Sequence, residues 1–380
     1  MKPEIYSARL AKIRDWMIDQ GISLIVLEDT EGRRDLNIRW LTGHPGDALL
    51  FISAGQLPEE EKAILVAWDI NLAKIYANQS GVLIGSYNDF GRKPIKAIAA
   101  VTKTLGLAAG SRIEIPSITP YPLFLDFVSD LADFDILCRK DGAGAEISKM
   151  RAVKDEFEIS TIKKAAEITN ELIDLLEAAV RQRKIKTEQD AALFIEAEAR
   201  KRGCEGTSFD ILAAGPQRSF AIHAFPNWTS EPFGTDGFSI LDFGVKYNGY
   251  CTDVTLTFAR NLNPKQEKLA AHVEKAYKLA ISMAQSSVPA KEIAAAVDSL
   301  FSKTKKKMPH GLGHGIGLQE HEFPVIRNVS DNEWVLEPGM IFTIEPGLYD
   351  PALGGCRLEN DVLITESGHE VLTTARIIYL

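Results

Sequence analysis

The sequence predicts two domains, an α/β domain followed by an α+β domain, and three observations lead to this prediction. The chain has 380 residues, a length that suits two domains better than one. Short apolar runs alternate with amphipathic helical patterns up to about residue 140, as in a layered α/β domain. After the polar, Gly-rich segment 139–146 the pattern changes to long helices and strand-rich stretches. We therefore place the domains at 1–140 and 153–380, joined by a linker at 141–152.

The elements of the first domain follow from hydrophobic periodicity. Helical spacing predicts helices at Ile5–Gln20, Ile95–Leu105 and Leu123–Ala132. Short apolar runs predict five strands, at Ile22–Leu27, Ala48–Ser53, Ala63–Trp68, Val82–Ser86 and Arg112–Ile115. None of these elements carries an arrangement of residues that indicates catalysis.

The second domain begins with two long helices and continues with strands. One helix is predicted at about Val153–Arg183, and Thr187 opens a second with a start typical of a capping box. A strand-rich stretch covers about Ser208–Ala259. Two more helices, at about Pro264–Gln285 and Lys291–Lys305, precede a Gly-punctuated, strand-rich C-terminal segment. Lys305 to Lys307 read as a solvated helix end.

Composition excludes several classes of function. The net charge of -9 argues against nucleic acid or an anionic membrane as a partner. The N-terminal segment lacks the apolar core of a signal peptide, and no apolar run approaches the length of about 18 residues that a membrane span needs. The four cysteines, which are scattered singly, predict free thiols in a reducing cytoplasm (Cys138, Cys204, Cys251 and Cys356).

The most informative local feature is a predicted hairpin around Asn248-Gly249. This dipeptide between two β-rich runs predicts a type I′ turn. The register then places Tyr247 opposite Tyr250 and Asp242 opposite Thr255. One strand face is wholly apolar, whereas the other brings Asp242 and Asp253 together as diagonal neighbours, about 7–8 Å apart at the backbone. Solvent exposure of the polar face, a basic partner, or a metal ion could each relieve the repulsion between these carboxylates.

Candidate ligands farther along the chain favour a metal ion over solvent exposure or a basic partner. The segment 310–321 holds three of the seven histidines, His310, His314 and His321, among closely spaced glycines. Those glycines disfavour a helix, so this is not the helical zinc pattern HExxH. Glu345 and Glu359 each lie at the end of an apolar strand, and a short Gly/Pro loop is expected between these strands. A carboxylate in apolar surroundings must pair or bind a cation.

Together these residues form a set of four carboxylates and one imidazole: Asp242, Asp253, His314, Glu345 and Glu359. Such an oxygen-rich set suits Mn²⁺, Co²⁺, Fe²⁺ or Zn²⁺. It is too anionic for one divalent ion, so it predicts two, about 3.5–4 Å apart. Mn²⁺ is our first choice.

The order and spacing of these motifs resemble the creatinase, prolidase and aminopeptidase P branch of the pita-bread metallopeptidases. The segments that carry the resemblance are LDFG, TDVT, HGLGHGIG, HEFP, IEPGLY and RLEND. The resemblance covers the whole chain. It implies a creatinase-like N-terminal domain, a pita-bread catalytic domain and a homodimer that acts on short peptides.

The resemblance also implies a role for each matching residue. Asp253 and Glu359 would bridge two metal ions, Asp242 would bind one of them, and His314 with Glu345 would bind the other. Glu345 would also move the proton of the attacking water, and His223 and His321 would contact substrate. Supporting positions are matched by His310, Tyr349 and Arg357, of which Arg357 is expected as a cation beside Glu359.

Two positions depart from the family pattern. Leu256 stands where many members have arginine, but the hairpin register puts it on the apolar face. Ile222 replaces a frequent proline before His223 and could change the shape of the pocket.

Four functions fit the sequence. An Xaa-Pro aminopeptidase is the first choice, and an Xaa-Pro dipeptidase (prolidase) is the main alternative. A small-molecule amide hydrolase or lyase on the same scaffold stays open because a fold does not fix a function. A non-catalytic binding module is disfavoured because all five metal ligands are present.

Overall fold

The structure, a computed structural model, describes residues 3–55 and 62–380. The chain divides into two compact units, Met1–Met150 and Arg151–Leu380. The first is an α/β unit and the second an α+β unit, as the sequence predicts. Within the described ranges, no helix combines the length and the apolar character that a bilayer crossing needs.

The first unit is built on one mixed sheet. Its strands are β1 (Leu24–Asp29), β2 (Ala48–Ser53), β3 (Ala63–Ala67), β4 (Leu83–Ser86), β5 (Arg112–Glu114) and β6 (Asp135–Leu137). They are ordered β4-β3-β2-β1-β5-β6 across the sheet. The β1–β2 and β2–β3 pairs are antiparallel and the other pairs parallel. All but β6 overlap a predicted strand.

The described part of the first unit also contains six α-helices: α1 (Pro3–Gln20), α2 (Leu36–Thr42), α3 (Ile70–Tyr76), α4 (Pro94–Thr104), α5 (Tyr121–Asp130) and α6 (Ala143–Met150). The sequence indicated α1, α4 and α5. The seven residues of α2 and of α3 are too few to show a clear helical period. Most of the expected linker is helix α6, because Ala143 and Ile147, four residues apart, are buried on one face.

The second unit contains four long helices: α7 (Glu156–Arg181), α8 (Glu188–Lys201), α9 (Pro264–Met283) and α10 (Ala290–Ser302). Each lies where the sequence predicts a helix. The first begins later than expected because the Asp155 side chain accepts hydrogen bonds from the backbone of Phe157 and Glu158 and so caps it. Thr187 forms the predicted capping box with Asp190.

Fourteen strands of the second unit form four sheets. The strands are β7 (Gly206–Thr207), β8 (Leu212–Ala214), β9 (Gly237–Phe243), β10 (Val245–Tyr247), β11 (Tyr250–Cys251), β12 (Val254–Arg260), β13 (Gly313–Gly315), β14 (Glu322–Ile326), β15 (Ile341–Ile344), β16 (Gly347–Asp350), β17 (Gly354–Arg357), β18 (Asn360–Thr365), β19 (Gly368–Val371) and β20 (Ile377–Tyr379). The sheets are ordered β11-β10-β7, β20-β12-β9-β8, β14-β13-β15-β18-β19 and β16-β17.

The hairpin at Asn248-Gly249 has the predicted register. Both turn residues have positive φ, 47° and 86°, as a type I′ turn requires. Tyr247 pairs with Tyr250, and Asp242 with Thr255. Leu256 is fully buried on the apolar face, as expected. The other face is buried too, since Thr255 is 0% exposed, so solvent does not relieve the repulsion between the carboxylates.

Candidate metal centre

The five predicted metal ligands come together on the wall of one cavity of about 390 Å³. They are positioned by the ends of neighbouring strands. Asp242 lies on β9 and Asp253 immediately before β12, while His314 lies on β13, and Glu345 and Glu359 flank the paired strands β15 and β18. Ligand atoms of Asp253, His314 and Glu359 lie within 4.8 Å of one another, close enough to share one ion.

Two glycines allow the strand of His314 to approach its neighbours. A Cβ atom on Gly313 would lie 1.9 Å from the carbonyl oxygen of Thr343, and one on Gly315 would lie 1.9 Å from that of Phe323. Both distances are far below a van der Waals contact. These glycines are therefore required for the close approach of this strand to its neighbours.

His314 presents its Nε2 atom to the carboxylates. Its Nδ1 lies 3.1 Å from the carbonyl oxygen of Gly315, to which it donates, so Nε2 carries the free lone pair. Nε2 lies 3.6 Å from Asp253 Oδ2 and 3.8 Å from Glu345 Oε1. Burial, followed by the charge of His321, lowers the pKa of His314 to about 3, so the ring is neutral and able to bind a metal.

The carboxylates are crowded enough to disfavour their own ionisation. Burial and then the charge of Asp242 raise the pKa of Glu359 to about 7. Burial and the charge of Glu359 raise the pKa of Asp253 and of Glu345 well above their usual values. Asp242 Oδ1 and Asp253 Oδ1 are buried without a hydrogen-bond partner among the described residues. Divalent cations would offset the repulsion between the carboxylates and would coordinate the two unsatisfied oxygens. These donors therefore fit a metal centre.

Arg357 contacts the cluster directly at Asp242, and its charge also acts on Glu359, the residue beside which the sequence placed it. Its Nη2 lies 2.5 Å from Asp242 Oδ2, and its Nε donates to Thr255 Oγ1 at 2.9 Å. The reason is that Arg357 lies on β17, which packs against β9, the strand of Asp242. Glu359 instead accepts a hydrogen bond from Thr255 Oγ1 at 2.7 Å.

His310 and Tyr349 extend this support. Arg357 Nη1 donates to Tyr349 Oη at 2.9 Å, and Tyr349 Oη lies 3.0 Å from His310 Nε2. His310 Nδ1 lies 3.5 Å from Glu345 Oε2. The segment between Glu345 and Glu359 is therefore not the short loop that the sequence indicated. It is the two-stranded hairpin β16–β17, which carries Tyr349 and Arg357 to the site.

The two predicted substrate histidines, His223 and His321, both line the cavity and are exposed. The His321 ring centroid lies 4.2 Å from that of His314. Ile222, which precedes His223, also lines the cavity, and its carbonyl oxygen accepts a hydrogen bond from Arg357 at 3.0 Å. Both histidines are thus able to reach a ligand in the cavity.

A buried carboxylate that the sequence analysis missed fixes the segment that carries His223. Glu188 accepts hydrogen bonds from the backbone N–H groups of Gly215 at 2.7 Å and Thr229 at 2.8 Å. It also pairs with Arg218, which donates to the carbonyl oxygen of Pro226. Both ends of segment 215–229, and Arg218 within it, are therefore tied to the first residue of α8. Nothing local in the sequence reveals these partners.

Other contributors were also missed. Asp361, fully buried, accepts a hydrogen bond from the Asp253 backbone N–H at 3.2 Å. Asp361 follows Glu359 by two positions, and side chains two positions apart in a strand point to the same face. Strand periodicity could therefore have indicated Asp361 as a neighbour of the site. Glu322, next to His321, has a buried side chain that forms ion pairs with Arg151 and Lys154. Arg151 and Lys154 lie far from Glu322 in the sequence, so no local pattern indicated these ion pairs.

The comparisons with known proteins agree with this geometry. The model of metallopeptidase family M24 matches residues 160–366. YkvY of Bacillus subtilis (strain 168), named provisionally as a dipeptidase, is 35% identical over 230 residues. That alignment covers 60% of this chain and 62% of the relative, so this chain matches less than two thirds of the relative's length.

Solved structures match nearly the whole chain. The X-Pro aminopeptidase from Thermotoga maritima MSB8 has a TM-score of 0.82 at 26% identity, covering 98% of this chain and 99% of its own. The Xaa-Pro dipeptidase from Bacillus anthracis has a TM-score of 0.84 at 25% identity, covering 99% of this chain and 100% of its own. These matches confirm the two-domain pita-bread fold, and the family match shows that this chain is a member of metallopeptidase family M24.

Proposed function

We propose that this chain is a dinuclear-metal Xaa-Pro aminopeptidase, which removes the N-terminal residue from peptides with proline in second place. The observation that carries the proposal is the cluster of four carboxylates and one neutral imidazole on a cavity wall. Membership of a metallopeptidase family and the likeness to an enzyme named as an X-Pro aminopeptidase support it.

The metal ions would be held as the family resemblance implies. Asp253 and Glu359 would bridge two ions, Asp242 would bind one, and His314 with Glu345 would bind the other. When bound, two such ions supply Lewis acidity and make water a nucleophile near neutral pH. The oxygen-rich donor set makes Mn²⁺ the first ion to test, before Co²⁺, Zn²⁺ or Fe²⁺.

The protein side chains would move the proton and hold the substrate. Glu345 takes the proton of the attacking water and delivers it to the proline nitrogen, the leaving group. His223 and His321, exposed in the cavity, donate hydrogen bonds to the carbonyl oxygen as it gains charge. Arg357 keeps the Asp242 carboxylate oriented through their 2.5 Å contact.

A dipeptidase is the second candidate. The names of YkvY and of the Bacillus anthracis structure favour it. We rank the aminopeptidase first because the metal cavity shares five lining residues with a second cavity of about 840 Å³, so space continues beyond a dipeptide. A small-molecule amide hydrolase or a lyase is the next alternative.

Hydrolysis of Ala-Pro-Ala and Ala-Pro distinguishes these functions. The protein is stripped of metal, then assayed with and without Mn²⁺, with Asp253→Asn as the matched inactive variant. Mn²⁺-dependent release of alanine from the tripeptide by the wild type alone supports the aminopeptidase. Cleavage of the dipeptide alone makes the chain a prolidase. If neither is cleaved while two ions are bound, the peptidase proposal is wrong.

The homodimer and the cytoplasmic location stay predictions. Light scattering coupled to size-exclusion chromatography tests the first, with twice the chain mass of 41.9 kDa expected. Fractionation of the source cells tests the second.

A further inference from the structure

A second cavity of about 840 Å³ adjoins the metal cavity in the unit Arg151–Leu380. The two cavities share the lining residues Ile222, His223, His310, Gly311 and Arg327. A ligand held at the metal cluster can therefore extend into the larger space without leaving the protein surface. We call this second cavity the basic recess.

The charge of the basic recess is positive, although the whole chain carries -9. Its lining includes three cations, Lys306, Lys307 and Arg327, and a single carboxylate, Asp298. The Asp298 carboxylate already accepts a hydrogen bond from the Asn328 side chain at 2.9 Å. The recess thus has an excess of positive charge that invites an anionic ligand.

Two of these cations, Lys307 and Arg327, are available to a ligand, whereas Lys306 has an ion-pair partner. Lys306 lies 3.6 Å from Asp350 Oδ2, a loose and half-exposed ion pair. Lys307 and Arg327 make no ion pair or side-chain hydrogen bond with any part of the chain that the structure describes, and both are exposed. Neither cation is therefore held in a direct ion pair with a described carboxylate, although the charge of Arg327 acts on Glu345.

The course of the backbone brings these cations close to the metal cavity. Helix α10 ends at Ser302, and Lys305 adopts a positive φ of 58°, which turns the chain so that Lys306 and Lys307 line the recess. The Arg327 stem packs over Gly311, where a Cβ atom would lie 2.8 Å from Arg327 Cγ and Nε. The absence of a side chain at Gly311 is what lets Arg327 lie at the junction of both cavities.

We propose that the basic recess binds carboxylate groups on the leaving side of the substrate, so that the preferred substrates are peptides of three or more residues that are acidic after the proline. The proposal rests on the proposed peptidase function. A free N-terminal ammonium is repelled by Lys307 and Arg327, whereas carboxylates in the C-terminal part of the peptide are attracted by them. The peptide therefore lies with its C-terminal part in the recess.

Steady-state kinetics on peptides of equal length test this proposal. The Mn²⁺-loaded full chain is assayed with Ala-Pro-Glu-Glu, Ala-Pro-Gln-Gln and Ala-Pro-Lys-Lys as C-terminal amides, and with Ala-Pro-Gln-Gln as the free acid. We expect a KM about tenfold lower for the Glu peptide than for the Lys peptide at low salt. This is the difference expected when two carboxylates of the peptide each form a partly screened ion pair with a cation of the recess. The free acid shows whether a terminal carboxylate suffices or acidic side chains are needed.

Two variants assign the effect to the recess. Lys307→Gln should raise the KM for the Glu peptide several-fold and leave its kcat unchanged, because Lys307 does not line the metal cavity. Lys303→Gln is the matched control, an exposed lysine at the end of α10 outside the lining of the recess. The preference should also fade at about 1 M salt, where the Debye length is about 3 Å. Equal KM values for the Glu and Lys peptides, or equal effects of the two variants, would overturn the proposal.

A binding measurement separates this proposal from the peptidase function. Calorimetric titration of the Mn²⁺-loaded chain with the product-like peptides Pro-Glu-Glu and Pro-Lys-Lys needs no catalysis. Tighter binding of Pro-Glu-Glu that Lys307→Gln weakens supports the recess even if no Xaa-Pro bond is cleaved. Cleavage without any charge preference in binding or KM keeps the peptidase and refutes the recess.

Discussion

Replacing Glu359 by glutamine in the metal-stripped protein tests the electrostatic crowding of the carboxylate cluster. Burial and the Asp242 charge raise the pKa of Glu359 from 4.5 to about 7 in the folded chain. Between these two values the folded state keeps a proton that the unfolded state has lost. The stability that this proton supplies is fully present below 4.5 and is lost as the pH rises through about 7.

The size of the effect follows from the two pKa values. At about 1.4 kcal/mol per pKa unit, raising the pH from about 5 to about 8 should remove about 2.5 kcal/mol from the free energy of unfolding through Glu359 alone. Glutamine has no such proton, so Glu359→Gln escapes that loss. Burial lowers the pKa values of His310 and His314, so these neutral histidines make the free energy of unfolding rise with pH below about pH 6.5, opposite to the effect of Glu359. Because both proteins contain these histidines, the free energy of unfolding is compared between the variant and the wild type at each pH.

Urea unfolding of EDTA-treated protein at several pH values measures this difference. The metal-stripped Glu359→Gln variant should gain about 2.5 kcal/mol on the wild type between about pH 5 and about pH 8. The exposed Glu366→Gln is the control and should gain nothing. In metal-loaded protein the sign should reverse, since the substitution then removes a metal ligand. Parallel pH profiles for the wild type and Glu359→Gln in EDTA would refute the reasoning.

Three further substitutions test the scaffold of the site. Leu256→Ala, at a fully buried position, should lower the free energy of unfolding by about 2–5 kcal/mol in urea. Glu188→Gln leaves Arg218 without its buried partner and should lower stability by about 3–5 kcal/mol, with faster proteolysis of segment 215–229 than in the wild type. Gly313→Ala would bring a Cβ atom within 1.9 Å of the Thr343 oxygen, so it should weaken Mn²⁺ binding in a calorimetric titration, whereas wild-type affinity would contradict the close approach.

Local features of the fold were predictable because their signals lie within a few residues. The Asn248-Gly249 turn fixed the hairpin register, which in turn put Asp242 and Asp253 on one face and Leu256 on the other. The caps at Asp155 and Thr187 depend on neighbours within three residues. In each case the side chain and the backbone group that it meets are close in sequence.

Contacts between distant segments were not predictable in this way. Arg357 reaches Asp242, 115 residues earlier, because β17 packs on β9, and no pattern near Arg357 specifies that packing. Glu188 ties down segment 215–229 through groups 27 to 41 residues away. Glu345 and Glu359 could be joined to Asp242 and Asp253 from the sequence because carboxylates at the ends of apolar strands need a cation, which is a chemical rather than a positional argument.

Metal content per chain is the most direct test of the central claim that this cluster is a dinuclear centre. Purified protein is stripped, reloaded with Mn²⁺, desalted and analysed by atomic emission, with Asp253→Asn and Glu359→Gln beside the control Glu366→Gln. The account predicts two ions per chain for the wild type and the control, and fewer than two for each ligand variant. A wild type that holds one ion or none, or ligand variants that still hold two, would contradict it.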